Sequence, residues 1–201
     1  MNDKQVLAYF GHHKCASVWI HRIFTKVCKI LSLKIAYVHS PQQFNGDLNI
    51  FVEKGKIDFL TYANANIEFI SKLKNFKGFH VVRDPRDIAV SSYFSHRYSH
   101  PDKEWKILAQ HREKLQSISL SKGLFLDIKF IDNDVFKLLA KWNYSLPNVF
   151  EIKLEELIKD PEEKFVEICE FLGILKNGDL DLSSNKLTKA KLRKILHRNR
   201  F

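Results

Sequence analysis

Five short apolar runs, at 5–10, 34–38, 57–62, 78–82 and 149–152, alternate with longer stretches in which apolar residues recur every three or four positions. A short continuous apolar run reads as a strand buried on both faces, and a period near 3.6 as an amphipathic helix. The alternation excludes a helical bundle and predicts an α/β fold, a central parallel sheet of about five strands flanked by helices. The clearest unit is the first. Gln5 to Phe10 is closed by Gly11, a helix from Ser17 to Leu31 carries Ile20, Ile23, Phe24, Val27 and Cys28 at helical spacing, and Lys34 to Val38 is the next strand.

Further helices are expected in 45–56 (with a loop), at Ile67–Leu73, Trp105–Leu115 and Asp132–Trp142, from Asp160-Pro161 to Phe171, and as a basic amphipathic helix at Thr188–Arg200. Asp84-Pro85 stops the fourth strand, and Asp87 is expected to cap the helix that follows to Tyr98. No repeat, linker or low-complexity tract divides the chain, so residues 1–201 are expected to form one domain.

Thirty-three Lys and Arg against 23 Asp and Glu give a formal charge of +10, which points to an anionic partner. Three well-separated cysteines, Cys15, Cys28 and Cys169, do not suggest a disulfide framework. With no signal peptide and no apolar run of membrane-spanning length, a cytoplasmic protein without a membrane partner is expected.

Two clusters carry chemistry. Gly11-His12-His13-Lys14-Cys15-Ala16-Ser17-Val18-Trp19 joins the first strand to the first helix, where free N–H groups, a lysine and a hydroxyl can cradle an anion. The Walker A spacing is absent, and the arginine of a cysteine phosphatase is one residue out of place. In the second cluster, Arg83 ends a strand and Ser91 follows eight residues later in a helix, so a guanidinium and a hydroxyl can share one phosphate. An ion pair of Arg83 with Asp87 is the plain structural alternative.

Together the clusters resemble the 3′-phosphoadenosine-5′-phosphosulfate (PAPS) dependent sulfotransferases. The family pattern K-x-G-[ST]-[ST]-W is matched by Lys14 to Trp19, and R-[DN]-P-[RK]-D with a later serine by Arg83 to Asp87 and Ser91. Phe150 to Pro161 and Phe171-Leu172-Gly173 look like two downstream landmarks. Ala16 departs from the pattern's glycine, Val18 from its hydroxyl residue, and Leu154 stands where many members have tyrosine. The family's later R-K-G segment is missing from these 201 residues, so a domain lacking that cofactor-closing piece, with weak cofactor binding, is expected.

The resemblance implies a three-layer, P-loop-NTPase-like architecture and sulfuryl transfer from PAPS to a hydroxyl or amine acceptor of unassigned class. It assigns the 5′-phosphosulfate to Lys14, Ser17 and the backbone of Cys15, Ala16, Val18 and Trp19, the adenine to Trp19, and the 3′-phosphate to Arg83 and Ser91. Lys14 is the expected stabiliser of the leaving group, and such a transfer requires no metal. His39, at the end of the second strand, is the first candidate for the general base, with Tyr62, His13 and His96 behind it. His12, His13 and Cys15 stand too close together for one tetrahedral metal site, so none is expected. The rival reading is a nucleic-acid- or nucleotide-binding module without catalysis, resting on Lys186, Lys189, Lys191, Arg193, Lys194, Arg198 and Arg200.

Overall fold

A computed structural model describes residues 5–103, 105–175 and 186–199. Arg200 lies outside them. Five strands, β1 (Val6–Phe10), β2 (Ile35–Val38), β3 (Phe59–Tyr62), β4 (Phe76–Val82) and β5 (Val149–Lys153), form one all-parallel sheet in the order β2-β3-β1-β4-β5. β1 is central, with Phe10 level with Tyr62 on one side and His80 on the other.

The side-chain period of two splits β1 between two cores. Tyr9 faces a core completed by α1 (Ser17–Leu31), α8 (Leu154–Lys159), α9 (Pro161–Phe171) and α10 (Lys189–His197). Val6, Ala8 and Phe10 face a second core, which takes Leu48 and Val52 of α2 (Leu48–Gly55), Ile70 of α3 (Ile67–Ile70) and Trp142. A 3-10 turn at Pro41–Phe44 precedes α2.

α4 (Pro85–Tyr98), α5 (Lys106–Ser117) and α6 (Leu120–Ile131) pack on one another beyond the carboxyl end of β4, and a π turn at Asp132–Phe136 leads into α7 (Lys137–Lys141). Four details differ from the sequence expectation. α6 and α8 were not anticipated, the single helix expected at 132–142 is the π turn plus α7, and the cap of α4 is Asp84 rather than Asp87. Asp84 accepts from the Arg86 N–H at 2.8 Å because Pro85, which has no N–H to satisfy, occupies the first helical position.

The sheet order explains why the two motif loops meet. From β1 the chain moves outward to β2, returns to β3, then crosses to β4 on the far side of β1. The carboxyl ends of β1 and β4 therefore flank the switch point of the sheet, where an α/β fold opens a crevice.

Candidate functional site at the ends of the first and fourth strands

The first loop is built on close approach. A Cβ at Gly11 would sit 2.1 Å from the Tyr9 hydroxyl and 2.9 Å from Ser17 Oγ, so glycine is required there. That space lets Tyr9, fully buried, reach the Cys15 carbonyl at 3.3 Å and Ser17 Oγ at 3.2 Å beneath the loop. Ser17 also donates to the His12 carbonyl at 3.3 Å. Lys14 and Ala16 adopt left-handed backbone, with φ of 65° and 60°. Ala16 thus takes the conformation for which the family pattern uses glycine, at a cost of about 1–2 kcal/mol.

Ala16 is the N-cap of α1 and caps nothing through its side chain, and the first turn holds no acidic residue. The N-termini of α2, α3, α4, α9 and α10 are capped instead by Asp47, Asn66, Asp84, Asp160 and Thr188. Since the first N–H groups of a helix have no partner within it, α1 presents donors and the positive end of its dipole to the crevice.

Arg83 reaches across to this loop, its Nη1 donating to the Lys14 carbonyl at 3.0 Å. Burial, and then the Arg83 charge, lower the pKa of the Lys14 ammonium. Among the described residues neither cation has a carboxylate ion-pair partner, and the Arg83–Asp87 pair is not formed; Asp84 pairs with Arg86 instead. Two neighbouring cations beside an uncapped helix start make a site of unspent positive potential.

Beneath the crevice runs a buried polar chain not anticipated from the sequence. Trp142 Nε1 donates to Glu151 Oε1 at 2.7 Å, and His80 Nδ1 stands 2.6 Å from Glu151 Oε2. A carboxylate only accepts, so His80 carries its proton on Nδ1 and its Nε2 accepts from His12 Nε2 at 3.0 Å. Trp142 stacks on His80 with ring centroids 4.0 Å apart. Burial, and then His80, push the His12 imidazole down to about 3, so it is neutral.

The other assigned residues are dispersed. Ser91 is half-buried on α4, while Val18 is exposed on the outer side of α1. Trp19 packs edge-on to Phe165 and donates its indole N–H to the Asn199 carbonyl, which ties α1 to the end of α10. Leu154 is buried at the start of α8. His39 is exposed just past β2, its backbone held by Gln43 and Asn64, with β3 between it and the Lys14 loop. The structure does not bring it against Lys14. Tyr62 is buried, and burial pushes its phenol up to about 12. The charge of α10 is partly spent within the fold, Lys189 on Glu170 and Arg193 on Glu162.

A mouse sulfotransferase, SULT7A1, solved complexed with PAP superposes with a TM-score of 0.60 at 19% identity, covering 98% of this chain and 64% of that one. The chain thus spans less than two thirds of that relative's length. A sulfotransferase from Alicyclobacillus acidocaldarius aligns at 16% identity with a TM-score of 0.45, over 98% of this chain and 91% of that one. No curated protein matches the chain. Among the described residues no helix is long and apolar enough to cross a membrane. The family model of the sulfotransferase domain matches residues 62–199, more than half of the chain, which therefore belongs to the sulfotransferase domain family.

Proposed function

We propose that the protein transfers a sulfuryl group from PAPS to a hydroxyl or amine acceptor. The observation that carries this reading is the 3.0 Å contact from Arg83 to the Lys14 carbonyl, which holds both motif cations at the switch point beside the uncapped start of α1. Unspent positive charge with no carboxylate paired to it fits a nucleotide bearing several anionic groups, and the PAP in the mouse structure supports that ligand class. When bound, PAPS supplies the electrophilic sulfur and the leaving phosphate.

The chain's own residues would divide the remaining work. Lys14 would meet the negative charge that develops on departure of the phosphate, and the N–H groups at the start of α1 would hold the oxygens around it. Cys15 already gives its N–H to the His12 carbonyl at 3.1 Å, so the available donors begin after it. Arg83 and Ser91 would take the 3′-phosphate. His39 would act on the acceptor from the same rim, with an acceptor lying over the end of β3 between it and Lys14.

Titration with adenosine 3′,5′-bisphosphate tests the reading. A charge-assisted contact to the 3′-phosphate is worth about 1.5–3 kcal/mol, so Arg83→Ala should weaken the bisphosphate roughly ten- to hundredfold and adenosine 5′-phosphate little. Equal losses for both nucleotides would make Arg83 structural, and absence of bisphosphate binding by the unaltered protein would overturn the proposal.

A further inference from the structure

Where the loop after β1 meets the end of α4, three imidazoles converge. His13 and His96 stack with ring centroids 5.3 Å apart, His100 lies 5.5 Å from His13 and 5.4 Å from His96, and one ring nitrogen of each falls within 4.8 Å of the others. His96 and His100 are one helical turn apart in sequence, and the His100 N–H still bonds back to the Ser95 carbonyl. His13 arrives from a different element.

The protonation pattern leaves lone pairs at the centre of this cluster. Asp127 is buried and accepts at Oδ1 from both His96 Nδ1 and His111 Nε2, each at 2.8 Å. A carboxylate only accepts, so His96 carries its proton on Nδ1. Its Nε2 is then a bare lone pair, buried and without a hydrogen-bond partner among the described residues, and His13 Nε2 is likewise buried and unpartnered. His100 Nδ1 stands 2.9 Å from the Pro101 carbonyl, which also only accepts, so the free lone pair of His100 is again Nε2.

We propose that His13, His96 and His100 bind one divalent transition-metal ion of the zinc class. Neutral imidazoles select zinc, cobalt, nickel or copper over magnesium and calcium, and three histidines leave a fourth position for water or an anion. Asp127 behind His96 is the carboxylate partner that commonly orients a metal-bound histidine. Metal–nitrogen bonds of about 2.0–2.1 Å put tetrahedral ligands roughly 3.4 Å apart, a spacing that nitrogens already within 4.8 Å of one another reach by a closure of at most about 1.4 Å. His100 lies beyond the last residue of α4. The alternative trio of His96, His111 and Asp127 is already consumed by its own hydrogen bonds. Such an ion would pin the residue preceding Lys14 to α4.

The test uses the full chain without a histidine tag, with Co2+ and Zn2+ as probes. Calorimetry and elemental analysis are expected to give one ion per chain, and Co2+ the visible absorption of a tetrahedral site. His100→Gln, a half-buried position whose change spares the core, should weaken binding at least tenfold. Asp127→Asn should weaken it roughly ten- to hundredfold, and His197→Gln should leave it unchanged. No stoichiometric ion, or equal affinity in the unaltered protein and His100→Gln, would overturn the proposal. Because ion content is read independently of nucleotide binding, this result stands apart from the fate of the sulfotransferase reading.

Discussion

Ala16 shows how one residue can carry a cost that the site requires. Its φ of 60° places the chain in the left-handed region, where an L side chain costs about 1–2 kcal/mol and glycine nothing. Ala16→Gly should therefore stabilise the fold by up to ~1 kcal/mol after the extra unfolded-state entropy of glycine, read as a rise in the denaturant midpoint at constant slope. A lower midpoint would show that the methyl group contributes packing worth more than the strain. Lys14 belongs to the same loop but to chemistry. Loss of one preorganised donor to developing charge typically costs about 10² to 10³ in kcat, so Lys14→Ala should lower turnover by that order while bisphosphate affinity falls much less. Equal falls in turnover and affinity would assign Lys14 to binding alone. The sequence marks Ala16 only as a departure from the pattern's glycine, not its left-handed backbone. Only the closed geometry over Tyr9 decided it.

At the scale of elements, the legible parts are those whose signal is local. α1 starts and ends where its periodicity places it, and α9 opens at Asp160-Pro161 as its cap, proline and first-turn acids require. Asp160 accepts from the Glu163 N–H at 3.1 Å. Asp160→Ala should cost about 1 kcal/mol and Asp160→Asn much less, measured by equilibrium unfolding. A null effect of the alanine would mean that packing of Phe165 and Ile168 alone holds the helix. α6 was illegible for a physical reason. Gly123 in its first turn weakens the helical signal by about 1 kcal/mol relative to alanine. It is there because a Cβ would stand 2.7 Å from the Tyr93 ring, a contact with another helix that no local pattern announces.

For the whole molecule, the sheet and its two cores bury what the sequence leaves chemically available. Cys28 and Cys169 are 1% and 0% exposed in one core, and burial pushes both thiols up to about 12. A thiol reagent at pH 8 should therefore modify them only as fast as the protein unfolds, and rapid labelling of the native state would contradict this core assignment. The sequence by itself determined the α/β class, the position of each strand, most helices and the two motif loops, because periodicity, caps and motif spacing act over a few residues. Tertiary structure decided the order β2-β3-β1-β4-β5, and with it every meeting of distant residues. Lys14 and Arg83 are 69 positions apart, and His80 and Glu151 are 71 apart. The convergence of His13, His96 and His100 is of the same kind. A single chain read in order carries no term for which strands lie side by side, and which strand ends face each other at the switch point is fixed only when the sheet closes on both cores.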